Sequence, residues 1–525
     1  MNDSRYVACA AAVFFAAVAW SRACDCNATA VRDRNASGVD ERPWLIVNLD
    51  NNHYQHQFSD NEQTVPAIEK YIDEYLGGAA THIFINPNAM RAFYDSKVLE
   101  PIWNAFDEPG AQTDIPWLRR AKLLHDRGID VYAVMLNRIR SRDGAEGWIS
   151  MRMNDVHCVN NPRSSLVGMW WLRRPDLWRV PFDSSGSWGN RAFDYSHKEV
   201  REHHVAAARE WFDRYDMDGV EADWTRFPWH LTPGKERSQA ECLTEVMREI
   251  RKAANAAAAR RGHPVKVAAA VLSSHEAAIA SGMDAVAWAK EGLVDILLVA
   301  NFFNSVDFET PWREWRKKVR AVNPNVRVVP RLDDGVAKTP HKRLFLGEAE
   351  YNAYFERLIA QGCRDFGFFN LFVKKNTQPW RWDFVARGVA PERVRASRRA
   401  YPASYRDAVP KGCPDLKQFP FDMAAARTVT IEIGSATGAG KVFVNAAFDA
   451  DIKETPRLTL NGAAPMSVDG AWDGHWAPPG DIKRYARCEY PPSALKDGVN
   501  EIGFPASAGG RACGCEIEVV PRIAD

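Results

Sequence analysis

Eight short apolar runs of strand character separated by helical stretches or long insertions, followed by short alternating runs bounded by Gly, Asn, Asp and Pro, predict an α/β chain. The expected architecture is a (β/α)8 TIM barrel with a C-terminal all-β sandwich domain. Length agrees: 525 residues exceed one ordinary hydrophobic core, whereas a barrel absorbs roughly 250 to over 400 residues.

The first strand is expected over Trp44 to Leu49, before a helix over Val65 to Leu76, and the second over Thr81 to Ile85. A helix over Trp117 to Arg127 leads into a third apolar run, Asp130 to Leu136, read as the third strand. Helices over Val200 to Tyr215, Gln239 to Arg261 and Met283 to Glu291 precede strands over Gly219 to Asp223, Val265 to Leu272 and Ile296 to Ala300. Helices over Trp312 to Val322 and Glu348 to Gln361 precede the seventh and eighth strands, Val326 to Pro330 and Phe366 to Leu371. An open doubly wound sheet would more often place a glycine-rich phosphate loop after its first strand, and Leu49-Asp50-Asn51-Asn52-His53 has none.

Arg5, the apolar run Val7 to Trp20 and the small residues of Ser21-Arg22-Ala23 give residues 1–23 the form of a secretory signal peptide. A lipid anchor at Cys24 is the alternative, disfavoured by Arg22. The protein is therefore expected to be secreted or periplasmic. Residues 24–42 are polar and lack periodicity, as a disordered leader does. The barrel is assigned to 43–400, and a linker plus sandwich to 401–525. Within the latter, Thr428 to Ile433, Lys441 to Phe448, Arg457 to Leu460, Tyr485 to Tyr490 and Cys515 to Val520 are the expected strands. Cys413, Cys488, Cys513 and Cys515 crowd this region, where export permits one or two disulfides.

With 68 Lys and Arg against 67 Asp and Glu, and no block of like charge, the chain offers nothing to nucleic acid or a charged membrane surface. No metal site is expected, since neither a paired CxxC set nor HExxH occurs, and no cofactor is called for. The 19 Trp, 14 Tyr and 25 Phe suit a core and also suit stacking on sugar rings.

The strongest constellation is Tyr215-Asp216-Met217-Asp218-Gly219-Val220-Glu221-Ala222-Asp223-Trp224-Thr225-Arg226-Phe227-Pro228. Alternation puts Glu221 and Asp223 on one face, and packing of Val220 and Ala222 against helices turns both carboxylates into the barrel. Asp223 then lies at the carboxyl end of the fourth strand, where barrel enzymes keep their catalytic groups. Two like charges in a confined site split their pKa values, as acid and nucleophile or base require in glycoside hydrolysis. Both lie on one wall, so Asp223 is the candidate nucleophile or base, with Glu221 tuning it. The proton donor is sought elsewhere, at Asp333 or Asp334 after the seventh strand or Glu276 after the fifth. Glu221 as a buried strut paired with an arginine is the alternative.

Candidate substrate-binding residues are Arg152, Asn154, Asp155 and His157 of the segment after the third strand, Trp224 and Arg226 after the fourth, and Arg331 at the end of the seventh. Asp50, Asn86, Asn137, Asn301 and Asn370 recur near strand carboxyl ends, as a polyhydroxylated ligand asks. The rings of Trp170, Trp171 and Trp178 offer subsite walls.

Arg152-Met153-Asn154-Asp155-Val156-His157, Asp194-Tyr195-Ser196-His197-Lys198-Glu199-Val200-Arg201 and the run from Tyr215 to Pro228 resemble the secreted bacterial glycosyl-hydrolase-like barrel proteins, the "family 10 glycosylhydrolase-like" group. The resemblance covers roughly Pro43 to Trp382, and its most specific part is the Asp-Gly-hydrophobic-Glu-hydrophobic-Asp core. It implies a (β/α)8 fold and an O-glycosidase activity, without a substrate. Asp223 is also similar in position to the fourth-strand nucleophile of the α-amylase superfamily. Glu221 stands where that superfamily has an arginine, which sets the two mechanisms apart.

The expected function is hydrolysis of O-glycosidic bonds in a polysaccharide or oligosaccharide. A non-catalytic carbohydrate-binding barrel is one rival, and a metal-dependent hydrolase with Asp50, Glu221, Asp223 and His157 as ligands is another. A serine hydrolase lacks its GxSxG elbow.

Overall fold

A computed structural model describes residues 42–300, 308–333, 346–370, 379–403, 418–449, 455–470, 483–507 and 509–522. The expected signal peptide and nearly all of the leader lie outside the described residues, as do Asn301, Asp334 and Cys413.

Eight parallel strands close into a barrel in chain order. They are β1 (Leu45–Leu49), β2 (His82–Ile85), β3 (Glu146–Arg152), β4 (Gly219–Asp223), β5 (Lys266–Leu272), β6 (Ile296–Ala300), β7 (Arg327–Asp333) and β8 (Phe366–Phe369). Closure comes from β1 against β8, with Leu45 opposite Phe366 and Val47 opposite Phe368. Alternation divides each strand. Ile46, Phe84, Trp148, Ala268, Ala270, Ile296, Leu298 and Val329 fill the lumen. Val47, Ile83, Ile149, Val220, Ala222, Val267, Leu297 and Phe368 pack outward in the larger core shared with the helices. Trp148 is the largest lumen side chain and stacks on Phe84, with ring centroids 4.9 Å apart. The neighbouring strand makes room for it with Gly219, where a Cβ would come within 2.5 Å of the indole.

The third strand is not where the sequence put it. Val131–Arg140 is a helix, and β3 is the segment from Glu146 to Arg152. Buried Val131, Tyr132, Met135, Leu136 and Ile139 follow the helical period, and Asp130 caps the helix by accepting from the amides of Tyr132 and Ala133. An apolar run of six residues satisfies either reading until its continuation to Ile139 is weighed.

Beyond the barrel, β9 (Arg399–Pro402), β10 (Phe421–Asp422), β11 (Arg427–Ile433), β12 (Ala439–Phe448), β13 (Thr459–Leu460), β14 (Ser467–Asp469), β15 (Arg484–Tyr490), β16 (Gly498–Phe504) and β17 (Arg511–Pro521) form two antiparallel sheets. One has the order β10-β17-β12-β15-β14 with β9 also on β17, and the other the order β11-β16-β13. Their inner faces make a second apolar core that takes in Ala353, from the barrel helix Glu348–Ala360. The same helix reaches the sandwich through Arg357, which grips Glu432 at 2.6 Å, and through Glu356, which accepts from Tyr401 Oη at 2.7 Å. Residues Trp44–Asp525 accordingly form one compact unit.

Of the four cysteines that crowd this region, Cys488 and Cys515 are buried free thiols. They sit on β15 and β17, on opposite sides of β12, two strand spacings or about 9.5 Å apart, beyond a disulfide's reach of about 7 Å. No helix among the described residues is long and apolar enough to cross a membrane.

Candidate active site

At the carboxyl end of the barrel, β4 delivers Glu221 and Asp223 into the lumen, 0% and 1% exposed. Arg331 of β7 reaches across to both. Its Nη1 is paired with Glu221 Oε1, and its Nη2 lies 3.2 Å from Asp223 Oδ1 and donates to Thr225 Oγ1 at 2.8 Å. The guanidinium stacks over Phe369 of β8 at 4.3 Å. Glu221 Oε2 accepts from Asn48 of β1 at 3.3 Å, and Asn48 also donates to Ser150 Oγ of β3 at 2.9 Å. Burial pushes the Glu221 carboxyl up to about 7, against the opposing pull of Arg331 and with help from the Asp223 charge.

Asp223 is held asymmetrically. Its Oδ1 accepts from Thr225 N at 3.0 Å, Thr225 Oγ1 at 2.7 Å, Arg226 N at 3.2 Å and Arg331. Its Oδ2 is equally buried and takes no hydrogen bond among the described residues. A buried oxygen without a donor costs free energy unless something else meets it, so its orientation counts for more than its mere presence. Four donors on one oxygen also fix the carboxylate plane.

A second charged chain runs beside it. Arg152, at the end of β3, is paired with Asp50 at the end of β1 and lies 3.3 Å from Asp155. Asp155 accepts from His157 Nδ1 at 2.8 Å and from the His157 amide at 2.9 Å. His157 Nε2 faces Arg226 Nη2 at 3.1 Å. Burial alone would raise the Asp50 carboxyl, but Arg152 and Arg226 hold it below the ordinary range; Asp155 is likewise held well below by His157 and Arg152 despite its burial. Asp333, buried at the end of β7, adds a further carboxylate whose charge acts on Arg226 and Arg331.

The remaining candidates separate. Asn370 follows β8 in the left-handed region (φ 50), which Asn tolerates, and its buried Oδ1 has no partner among the described residues. Asn86 donates to the Ser150 carbonyl at 2.6 Å, strapping β2 to β3, and its buried Oδ1 has no partner among the described residues. Other expected residues are placed differently. Asn137 is exposed on the helix Val131–Arg140, because the strand it was meant to end is not a strand. Asn154 is consumed by backbone groups, donating to the Phe193 and Trp229 carbonyls at 2.8 and 2.7 Å and accepting from Phe193 N at 3.1 Å. Trp224 is 0% exposed and packs outward against Tyr195, His230 and Trp288. Arg152 and Arg331, expected to bind substrate, are buried braces between carboxylates. Glu276 is exposed on the short helix His275–Ala280. Trp170, Trp171 and Trp178 pack among Phe193, His203 and one another as part of the fold.

The proposed metal ligands do not converge: each is engaged by an arginine or, for His157, by Asp155 and Arg226. Among the described residues no group of three or more His, Cys, Asp or Glu side chains is placed to hold a metal ion. Asn48, Ser150, Thr225 and Phe369 were not singled out in the sequence. Asn48 shares the parity of Asp50 and Ser150 that of Arg152, which is the signal that marks both.

The fold and site define a closed (β/α)8 barrel with a carboxylate and arginine cluster at the carboxyl ends of its strands. No family model matches the chain, and no curated protein matches it. Among solved structures it is similar to a cycloisomaltooligosaccharide glucanotransferase from Paenibacillus sp. (11% identity, 91% of this chain and 57% of that one, TM-score 0.36). It is also similar to α-L-fucosidase isoenzyme 2 from Paenibacillus thiaminolyticus (12% identity, 67% and 49%, TM-score 0.40). An α-amylase from Lactobacillus plantarum gives 11% identity over 88% of this chain and 98% of that one, with TM-score 0.36. The chain thus spans about half the length of the first two. The fold stands on its own strand pairing, and the chemistry of the site on its own distances.

Proposed function

We propose that the protein is a secreted or periplasmic glycoside hydrolase cleaving O-glycosidic bonds in an oligosaccharide or polysaccharide, with Asp223 as the group that meets the anomeric carbon. The observation that carries this reading is the asymmetry of Asp223: Oδ1 pinned by four donors, Oδ2 buried at the carboxyl end of β4 with no donor among the described residues. An oxocarbenium-like transition state develops positive charge, and a preorganised buried carboxylate oxygen stabilises such charge without having to reorient. The sign of the site supports the same chemistry. Even with Glu221 left out, Asp50, Asp155, Asp223 and Asp333 outnumber Arg152, Arg226 and Arg331, which suits a cationic transition state better than an anionic substrate group. Membership of the glycosyl-hydrolase-like group that the sequence resembles belongs to the same proposal. Export rests on residues 1–23, and N-terminal sequencing of the mature protein from the culture medium or periplasm tests it.

The experiment is a product screen of the protein against bacterial, algal and mucin-type glycans, with and without chelator, beside Asp223→Asn. Sugar release that is chelator-insensitive and lost in Asp223→Asn is the expected result. Binding without cleavage, equal in both proteins, overturns it in favour of a carbohydrate-binding barrel.

A further inference from the structure

The large apolar side chains exposed among the described residues are Val65, Phe182, Trp188, Val322, Met466 and Val499. Of these, only Phe182 and Trp188 are aromatic, 68% and 36% exposed, and both sit on the segment between β3 and the helix Lys198–Arg214. That segment leaves the carboxyl end of β3, so the two rings stand on the same mouth of the barrel as Asp223.

The backbone holds Phe182 out in a conformation that opposes its side chain. Asp183 N donates to the Val180 carbonyl at 3.2 Å and closes a turn with Pro181 and Phe182 at its centre. Phe182 has φ 58, at the third position of that turn, where Gly or Asn is the ordinary occupant. A bulky residue in the left-handed region costs free energy, and such outliers gather at binding sites. The frame around the ring is rigid. The Asp183 carboxylate accepts from Ser185 Oγ at 2.8 Å, Asn190 Nδ2 at 3.0 Å and Arg191 Nε at 3.3 Å. Buried Arg179 donates to the Gly189 carbonyl at 2.9 Å and to Glu236, after β4, at 2.8 Å. Gly189 lies so close to Trp229 that a Cβ there would come within 3.2 Å of the indole.

Contacts run from Trp188 to the site. Its ring meets Phe227 at a steep angle, 82°, with centroids 6.0 Å apart. Phe227 lies under the Arg226 guanidinium at 5.5 Å, and the Arg226 amide donates to Asp223 Oδ1 at 3.2 Å. The surroundings of the two rings select the ligand. Exposed Ser184, Ser185 and Ser187 separate them, and no exposed large aliphatic side chain accompanies them on the segment. Rings with hydroxyls beside them fit a sugar, whose C–H face stacks on the π cloud while its hydroxyls bond to neighbouring oxygens.

We propose that Phe182 and Trp188 form a glycan-binding lip that seats sugar units remote from the scissile bond, so that the substrate is a chain and not a small glycoside. The proposal rests on the glycosidase reading and adds to it where the rest of the substrate lies. Because the rings are already held out, little ordering is needed when a chain docks on them. Binding of the remote units then serves to hold the chain over Asp223.

The test uses full-length wild type, Phe182→Gly, Trp188→Ala and, as a control on an exposed apolar residue elsewhere, Val322→Ala. Native gels cast with each bacterial, algal or mucin-type glycan of the product screen read binding. Values of kcat/KM are measured on size-graded fragments of the glycan that is cleaved and on the nitrophenyl glycoside of the same sugar. Wild type should be retarded by one of these glycans and should gain in kcat/KM as its fragments lengthen. Trp188→Ala and Phe182→Gly should each lose ~10-fold on the longest fragments, migrate unretarded and match wild type on the nitrophenyl glycoside. Phe182→Gly should melt at or above the wild-type temperature, since Gly accepts the left-handed backbone; loss of the ring is thereby separated from loss of the fold. Val322→Ala should behave as wild type throughout. Ring variants that equal wild type on every fragment overturn this proposal and leave the glycosidase reading standing. Retardation that is lost in Trp188→Ala, with no cleavage by wild type, overturns the glycosidase reading and supports the lip. A wild type that is neither retarded nor active overturns both. A wild-type dimer that the two ring variants dissolve into monomers overturns the lip as well, by showing that a second copy covers the rings.

Discussion

The two mouths of the barrel are both lined with charge, and they use it in opposite ways. At the amino end, Asp365 accepts from Arg327 Nε at 2.6 Å, Arg327 Nη2 at 2.8 Å and the Trp44 amide at 2.9 Å. Beside it Glu146 accepts from Lys266 at 2.7 Å and from Trp148 Nε1 at 3.0 Å. Arg327 also lies over the Trp44 ring at 3.8 Å. All four carboxylate oxygens there have donors, and buried His82 is kept neutral, its pKa pushed down to about 4 by burial. At the carboxyl end Asp223 Oδ2, Asn86 Oδ1 and Asn370 Oδ1 are buried and have none among the described residues. Buried polar oxygens that are fully matched stabilise the fold, whereas one left without a donor costs it free energy.

The most severe way to break this contrast is Asp223→Asn, which replaces the bare oxygen's charge and leaves the surroundings intact. A loss of ~10³-fold in kcat/KM is expected, with a melting temperature near that of wild type. Trp148→Ala, between the two mouths, should cost about 3–5 kcal/mol in denaturant unfolding, because the lumen has no side chain to collapse into its space. Asp365→Asn at the amino end leaves Arg327 poorly matched in a part-exposed setting and should cost about 1–3 kcal/mol, with kcat/KM unchanged. An equal loss of activity in that variant would erase the distinction between the mouths.

The smallest effect sharpens the comparison. The folded-state pKa of Glu221 is raised, so the protonated form is favoured by folding. Its stabilising contribution is present below the ordinary carboxyl range and is lost as pH rises to about 7 and beyond. Wild type should therefore lose stability relative to Glu221→Gln between pH 5 and pH 8, measured by urea unfolding. A difference that is constant across that range would show Glu221 to be an ordinary ionised partner of Arg331.

The carboxyl-end site was partly legible in the sequence because parity in a short strand is a strict rule. Gly219 to Asp223 alternates cleanly, and that alone turned Glu221 and Asp223 inward. The same rule assigns Trp224 to the outer face, so its place among the expected binding residues was an error of application. The third strand failed for another reason. Val131 to Leu136 has no polar residue to reveal its period, and the true β3, Glu146–Arg152, carries Glu, Gly, Ser and Arg, because its inward positions serve the lumen and the site. An arginine partner for a buried Glu221 was a legible alternative, and the structure has that pair; which arginine was not legible, since nothing local in Arg331 says that it faces Glu221 and not a ligand. In the sandwich, Arg427–Ile433 and Ala439–Phe448 were anticipated, while Gly498–Phe504 was not. Its pairing with Arg427–Ile433 on one side and Thr459–Leu460 on the other identifies this Gly- and Asn-containing run as a strand.

The pairing of β17 also bears on how the chain is made. It is the strand against which β9, β10 and β12 are all laid, with Pro402 opposite Glu516 and Val444 opposite Ile517. As the polypeptide leaves the ribosome, β1 to β8 emerge in the order in which they pair, so the barrel can assemble as it is delivered. The three strands that need β17 emerge first and must wait with exposed edges. A holdase or a pause in translation would be most useful in that interval, after residue 448 has emerged and before residue 511 arrives.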